Sequence, residues 1–517
     1  MNGRESFFDL GLIEADRRSR VPLFRQIYES LRESILERKL AGGAGIPSSR
    51  ELAALLGLSR MTVISAYEQL LAEGYLVTKR GSGTFVSESL PEEQQRVSFR
   101  ARGDVGKVER TFPTLREFAH RRQGRIKLST SCKRLVEQKS NLPKYLPSLR
   151  PFRAGVPALD QFPIEMWAKL SRARWRKFSA SDLSYGPAAG LDALRESVAE
   201  YVQAFRGVRC DASQVMIVSG TQQAVDICAR LLLDPGDQVL FEDPGYRTAR
   251  AALAAAGAQI MPMPVDTQGA IVSEGARLSP HARLAYVTPS HQFPLGVTLS
   301  IERRMELIHW AHKNQGMIIE DDYDSEYRYA HRPIPSLQGL DSGERTIYIG
   351  SFAKVIFPAL SLGYAIIPSC LIPAFEAALT LVGRPPSILD QTILTDFIVG
   401  GHFSRHLRRM RKVHESRRTA LVESLTEHLG DRVEIIGADA GLHCTALFRD
   451  GVLTKSRSAR DIVEGICRMD YVVRLLSEYY MPSRRRKHQP EGLIFGFASS
   501  TPRQLKTAVR EILPAFG

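Results

Sequence analysis

The sequence predicts a multidomain chain. An N-terminal winged helix-turn-helix of α+β type comes first, then a large α/β domain carrying a smaller C-terminal α+β lobe. Three observations carry this. Residues 20–88 hold short amphipathic helices that close on a Gly-rich hairpin. From residue 150 onward, apolar strand runs alternate with helical periodicity, the pattern of a mostly parallel sheet covered on both faces. And 517 residues are too many for one hydrophobic core.

The N-terminal elements follow in order. Phe24, Ile27, Leu31 and Ile35 mark the apolar face of a first helix. Pro47-Ser48-Ser49-Arg50-Glu51 is a capping box, with Ser48 as N-cap and Glu51 at N3. The helix it opens carries Leu52, Leu55 and Leu56 and stops at Gly57. Ser59-Arg60-Met61-Thr62-Val63 starts another helix, with Val63, Ala66, Tyr67 and Leu70 toward the core. The N-terminal residues of such a second helix reach base edges in a major groove. Tyr75 to Val86 alternates and turns at Gly81-Ser82-Gly83 behind Lys79 and Arg80, giving a wing with a basic tip.

Residues 89–149 form a linker rich in Arg and Lys, with Pro143 and Pro147 late in it; a solvated tether with short helices is expected. The net charge of +14 suits an anionic partner such as nucleic acid without requiring one. The six cysteines are scattered, with no Cys-x-x-Cys pair, so neither a zinc site nor a disulfide framework is expected. No apolar run reaches the roughly 18 residues of a membrane span. A cytoplasmic protein with no membrane partner is expected.

In the large domain, Val215–Ser219, Val239–Glu242, Leu284–Thr288, Met317–Glu320 and Thr346–Ile349 read as strands, and Gln222–Leu233 and Arg247–Ala256 as helices. The sheet domain runs to about residue 430. The lobe, residues 431–517, offers Val433–Ile436, His443–Phe448 and Leu493–Phe497 as strands and a final helix. The basic run Arg484–Lys487 reads as a solvated loop.

Four segments carry chemistry. Ser219-Gly220-Thr221-Gln222-Gln223 opens a helix after a strand, where free amides bind phosphate. Glu242-Asp243-Pro244-Gly245-Tyr246 puts an aromatic at a strand's carboxyl end. Ile318 to Asp324 sets Glu320, Asp321, Asp322 and Asp324 around the end of a buried strand. Such a cluster could serve a ring nitrogen or a Mg²⁺ ion, and no Gly-x4-Gly-Lys loop accompanies it to favour the ion. Ser351-Phe352-Ala353-Lys354 follows an apolar strand and precedes Val-Ile-Phe-Pro, a poor setting for a merely solvated lysine.

The first unit resembles the GntR-type winged helix over its whole length. The resemblance implies DNA contacts by Arg50, Arg60, Thr62, Arg80 and Gly81. The four later segments resemble fold-type I aminotransferases, as do Ser184-Tyr185-Gly186-Pro187 and Thr288 to Gly296. They imply pyridoxal 5'-phosphate (PLP) held as a Schiff base by Lys354. Asp321 would face the ring nitrogen, Tyr323 the ring oxygen and Tyr246 the ring face. Gly220, Thr221, Gln222 and Ser351 would hold the phosphate. No metal is expected. Together the modules resemble the MocR/GabR-type regulators. That implies a head-to-tail homodimer on a double-stranded DNA operator, sensing an amino compound or PLP itself. An active aminotransferase with a DNA-binding domain is the alternative. Three positions depart from the enzyme pattern. Ser361 stands where an arginine meets the phosphate, Phe293 where an asparagine meets the ring oxygen, and Ile494 where an arginine grips a substrate carboxylate. Arg474 is a candidate replacement for the last. These losses point away from multiple-turnover transamination.

Overall fold

The computed structural model describes residues 13, 15–16, 19, 21–79, 83–88, 128–140, 150–180, 182–329, 335–341, 344–383, 386–454, 457–482 and 489–517. Arg80, Gly81, most of the linker and Arg484–Lys487 lie outside them. Two compact units separate at Arg125/Ile126.

The first unit packs helices Leu23–Leu36, Ser49–Leu56 and Arg60–Ala72 around Ile27, Leu31, Leu52, Val63 and Leu70. A three-stranded antiparallel sheet closes it, ordered Gly45–Ile46, Gly83–Val86, Leu76–Lys79. Ser48 forms the capping box with Glu51, and Gly57 ends that helix in the left-handed region. Leu55, grouped from the sequence with Leu52 and Leu56, is 54% exposed. Successive residues step about 100° around a helix, so Leu52, Ala53 and Leu56 share one arc and Leu55 falls outside it. Phe24 likewise sits at the exposed margin of the first helix.

The second unit is built on an eight-stranded sheet. Its order is Val215–Val218, Gly363–Ile366, Thr346–Ser351, Met317–Asp322, Leu284–Val287, Gln238–Asp243, Gln259–Asp266, Gly269–Ala270. The five strands from Thr346–Ser351 to Gln259–Asp266 run parallel. Gly363–Ile366 runs against both its neighbours. Alternation sorts the core. Tyr348 and Ile217 face helices Asp192–Arg206 and His402–Leu429. Ile347, Ile349 and Met216 face helices Thr221–Leu232, Arg247–Ala256 and Ile372–Val382. Within the linker span, Thr130–Ser140 is a helix packed on Arg247–Ala256, where Arg134 donates to the Ala255 carbonyl.

The C-terminal lobe is a four-stranded antiparallel sheet, ordered Val433–Ile436, His443–Phe448, Gly492–Gly496, Arg474–Leu475. Helices Ala459–Arg468 and Pro502–Ile512 cover it, and His402–Leu429 packs along Pro502–Ile512. The chain leaving the linker is stitched to this lobe. Gly496 N donates to the Phe152 carbonyl, and Val472 N to Pro151. Gly496 is required there, since a Cβ would stand 2.1 Å from the Arg153 carbonyl oxygen and 2.5 Å from Ala154 N. Gly496→Ala should therefore destabilise the second unit by about 1–3 kcal/mol, read as a lower melting temperature of its transition.

Candidate functional site

The parallel strands end at one rim, and a cavity of about 470 Å³ opens there. Strand ends supply Asp321 and Ser351 to its wall, the turns after strands supply Tyr246, Thr288 and Lys354, and Thr248 comes from the first turn of helix Arg247–Ala256. The Phe152–Gly155 segment and the lobe residues His443, Val472, Arg474, Tyr479 and Ile494 complete it.

Lys354 sits in a single helical turn that follows Thr346–Ser351. Its Nζ donates to the Gly155 carbonyl at 2.8 Å. Burial pulls its pKa below the ordinary lysine value, with Asp324 and Asp321 opposing. An uncharged amine is thereby more accessible than on a surface lysine.

The acidic strand end separates into four environments. Glu320 accepts the backbone N–H groups of Leu337 and Gln338. Asp322 is clamped by Arg206 at 2.7 Å, by Ser325 and by the Tyr348 hydroxyl, and its pKa is lowered despite burial. Asp324 holds His291 Nδ1 at 3.1 Å. Asp321 alone lines the cavity. One of its oxygens accepts from the Tyr286 hydroxyl at 2.5 Å, and Oδ1 is buried without a hydrogen-bond partner. Burial raises its pKa to about 7, and the Tyr286 hydrogen bond opposes the rise. The carboxylates are thus divided among separate partners rather than pooled around one ion.

At the far wall, helix Thr221–Leu232 begins after Gly220, whose φ of +99° favours glycine. No side chain caps this N-terminus. Its amides and Thr221 face the neighbourhood of Ser351, whose Oγ caps the Lys354 turn through Ala353 N. Ser361 lies at the same corner, left-handed at φ +49°, donating to the Ser219 carbonyl at 3.2 Å.

Tyr246 stands edge-on to Phe293, and burial raises its pKa. Gln222 does not line the cavity, and its Nε2 is buried without a hydrogen-bond partner. The Tyr323 hydroxyl donates to the His291 carbonyl at 2.9 Å. Of the residues expected from sequence, the structure brings Lys354, Asp321, Tyr323, Tyr246, Thr221 and Ser351 to one cavity, with Gly220 and Gln222 directly behind it. Sequence reasoning missed Gly155, Tyr286 and His443, which lack a motif and arrive by tertiary packing alone. His443 donates toward the Pro294 carbonyl, and its ring lies 4.7 Å from that of His291. Among the described residues, His291, Asp324 and His443 form a buried metal-capable group.

In the first unit, Arg50 and Arg60 are exposed at the starts of consecutive helices, and Arg60 Nε contacts Ser49 Oγ. Ser59 caps the second of these helices, leaving Arg60 and Met61 on its open end with Thr62 half-buried behind them.

Two family models match the chain. Residues 23–86 match the bacterial regulatory proteins of the gntR family, and residues 152–512 match aminotransferase class I and II. The chain is 37% identical, over 98% of its length and 96% of the relative's, to a Rhizobium meliloti protein described as probable rhizopine catabolism regulatory protein MocR. It is 29% identical, over 95% of both chains, to the pyridoxine biosynthesis transcriptional regulator PdxR of Corynebacterium glutamicum. Among solved structures, the Pyrococcus horikoshii kynurenine aminotransferase superposes with a TM-score of 0.64 at 24% identity, over 80% of this chain and 98% of its own. That last likeness concerns the fold alone. Matched along nearly its whole length by MocR and in each module by a family model, the chain belongs to the MocR/GabR-type regulators, DNA-binding transcriptional regulators that join a GntR helix-turn-helix to a domain of the PLP-dependent aminotransferase fold.

Proposed function

We propose that this regulator binds PLP through Lys354 and uses the cavity to sense an amino compound or PLP itself. The observation that carries the reading is Asp321 Oδ1, a buried carboxyl oxygen without a partner at the wall of a cavity that also holds a lysine of lowered pKa. A buried acceptor of this kind is costly unless a donor or cation meets it. A protonated ring nitrogen supplies both. The uncapped helix start at Gly220, Thr221 and Gln222, with Ser351, suits the phosphate end.

When bound, PLP supplies an aldehyde that condenses with primary amines and a ring that draws electrons from them. Lys354 contributes the exchangeable amine, whose pKa burial lowers. Asp321 changes from a carboxyl that retains its proton to about pH 7 into a carboxylate beside a cation. Tyr246 and Phe293 wall the cavity with apolar surface and exclude water. Ser361 offers a neutral hydroxyl where a guanidinium would add a charged contact, which keeps phosphate binding weaker. Arg50, Arg60 and Thr62, with Arg80 and Gly81 of the wing, contact the operator. Large exposed apolar side chains, including Leu183, Leu381 and Val399, support self-association of the second unit, and the family resemblance supports a head-to-tail dimer. A DNA operator implies residence in the cytoplasm.

Three outcomes follow. Wild-type protein titrated with PLP should develop a visible absorption band that borohydride fixes to the peptide containing Lys354. Lys354→Ala should show neither, and a band surviving in that variant would defeat the assignment.

Asp321 should also make the cofactor-free protein pH-sensitive. Its folded pKa lies above the unfolded value, so folding binds a proton across that interval. Its contribution to stability therefore falls as pH rises from about 4 toward 7, then levels off. Asp321→Asn should flatten this slope in thermal melts. It should match or exceed wild-type stability above pH 7, yet bind PLP roughly 10- to 100-fold more weakly.

On DNA, Arg60→Ala should cost about 1–3 kcal/mol on the specific operator and far less on random duplex, measured by competition binding. An equal loss on both would assign Arg60 to phosphates.

A further inference from the structure

Three buried side chains meet where the large sheet adjoins the small lobe. His291 comes from the turn after strand Leu284–Val287, Asp324 from the turn after Met317–Asp322, and His443 from the lobe strand His443–Phe448. Each is 1% exposed. One ligand atom from each lies within 4.8 Å of the other two. The three are far apart in the chain, so the short ligand spacings that betray many metal sites are missing from the sequence.

The hydrogen bonding around both rings calls for a cation. His291 Nδ1 stands 3.1 Å from both oxygens of Asp324 and 3.2 Å from the Tyr323 hydroxyl, whose own proton goes to the His291 carbonyl. His291 Nε2 faces the Gly437 carbonyl at 3.3 Å. A neutral imidazole has one N–H to divide between these two sets of acceptors. Its other nitrogen then meets oxygen lone pairs with a lone pair of its own, unless a cation stands between them. His443 is held in a similar way. Its Nε2 faces the Pro294 carbonyl at 3.1 Å, and among the described residues its Nδ1 makes no hydrogen bond. Burial keeps its pKa well below the ordinary histidine value, so the ring is neutral. An imidazole whose far N–H is held by a carbonyl is the usual form of a metal-bound histidine. Gly441 keeps the space clear. Its φ is +70°, and a Cβ there would stand 2.2 Å from His291 Nδ1 and 2.4 Å from Asp324 Oδ2.

We propose that His291, Asp324 and His443 bind a divalent first-row metal ion, with Zn²⁺ as the expected occupant. Two imidazole nitrogens and one carboxylate suit that class of ion and poorly suit Mg²⁺ or Ca²⁺. Metal–ligand bonds of about 2.0–2.2 Å set tetrahedral ligands roughly 3.3 Å apart. The His291–Asp324 pair already has that spacing, and His443 needs to approach by at most about 1.5 Å. His443 belongs to the lobe and its partners to the sheet domain, so the ion would join the two at the edge of the cavity. The site uses neither Lys354 nor Asp321 and is independent of their reading.

The test uses the full-length protein, stripped with a chelator, desalted and measured without added PLP. Zn²⁺ is titrated by calorimetry, and retained metal is counted by elemental mass spectrometry after gel filtration. The wild type should retain about one equivalent per chain more than His443→Ala or Asp324→Asn, and Zn²⁺ should raise its melting temperature but not theirs. Loss of a ligand should weaken the site by more than the roughly 10- to 100-fold that an outer partner costs. Co²⁺ supplies a signature independent of stability. The wild type should give the intense visible bands of a tetrahedral ion, and His443→Cys should add a thiolate-to-metal band in the near ultraviolet. Equal retention by wild type and variants assigns the ion to surface groups and overturns the proposal. So does a wild type that retains none, or a His443→Cys protein that lacks the thiolate band. Should the alanine and asparagine variants fail to fold, the two Co²⁺ spectra decide.

Discussion

A carboxyl group buried with too few donors is the constraint around which the second unit is arranged. Asp321 receives one hydroxyl, from Tyr286, and leaves Oδ1 unmet. Its neighbours on the strand show how a folded chain normally deals with such groups. Asp322 takes Arg206, a serine and a tyrosine, and Glu320 takes two backbone amides. Asp322 also leaves one oxygen, Oδ1, without a hydrogen bond, but its charge is met by Arg206, whereas Asp321 has a single neutral donor. Leaving a buried acceptor short costs on the order of 1–3 kcal/mol, which a donor or cation entering the cavity would offset.

The rest of the cavity depends on elements far apart in the chain. The large sheet supplies Lys354 and the helix start at Thr221, and the lobe supplies His443, Arg474 and Ile494. Between them lies Phe152–Gly155, held to the lobe through Gly496 and to the sheet domain through the Lys354–Gly155 bond. The close fit at Gly496 leaves this segment little room to move without disturbing one wall or the other.

Much of this was legible in the sequence because it is local. The capping box of Ser48 and Glu51, the turn at Gly57, the strand and helix alternation and the lysine after an apolar strand are each decided by residues a few positions apart. Leu55 was misplaced because its i+3 spacing from Leu52 puts it on one side of that residue, while the fold centres the buried arc on the other side, toward Ala53. Tyr286, Gly155 and His443 were invisible for a different reason. Nothing near Tyr286 in sequence says that the strand beside it ends in a lonely carboxyl; that follows from the parallel register pairing Tyr286 with Ile319. Gly155 looks like any turn glycine until the fold sets it under Lys354. The reversed strand Gly363–Ile366 is likewise set by its two neighbours rather than by its own pattern.

A ligand moves an equilibrium only by binding two arrangements unequally. In this chain the lysine makes that inequality concrete. Lys354 Nζ donates to the Gly155 carbonyl, and a Lys354 joined to PLP as proposed would give that bond up. Gly155 lies just after the linker span, so on the proposed reading occupancy of Lys354 would be felt at Pro151–Gly155. An enzyme gains nothing from such a connection, since turnover needs the lysine released and recaptured without consequence elsewhere. A switch requires it. By the family resemblance, Phe293, Ser361 and Ile494 stand where the enzymes have charged or polar grips, and this bond does not depend on them. The pattern of what the site lacks and what it keeps therefore favours a receptor whose output is the position of Pro151–Gly155.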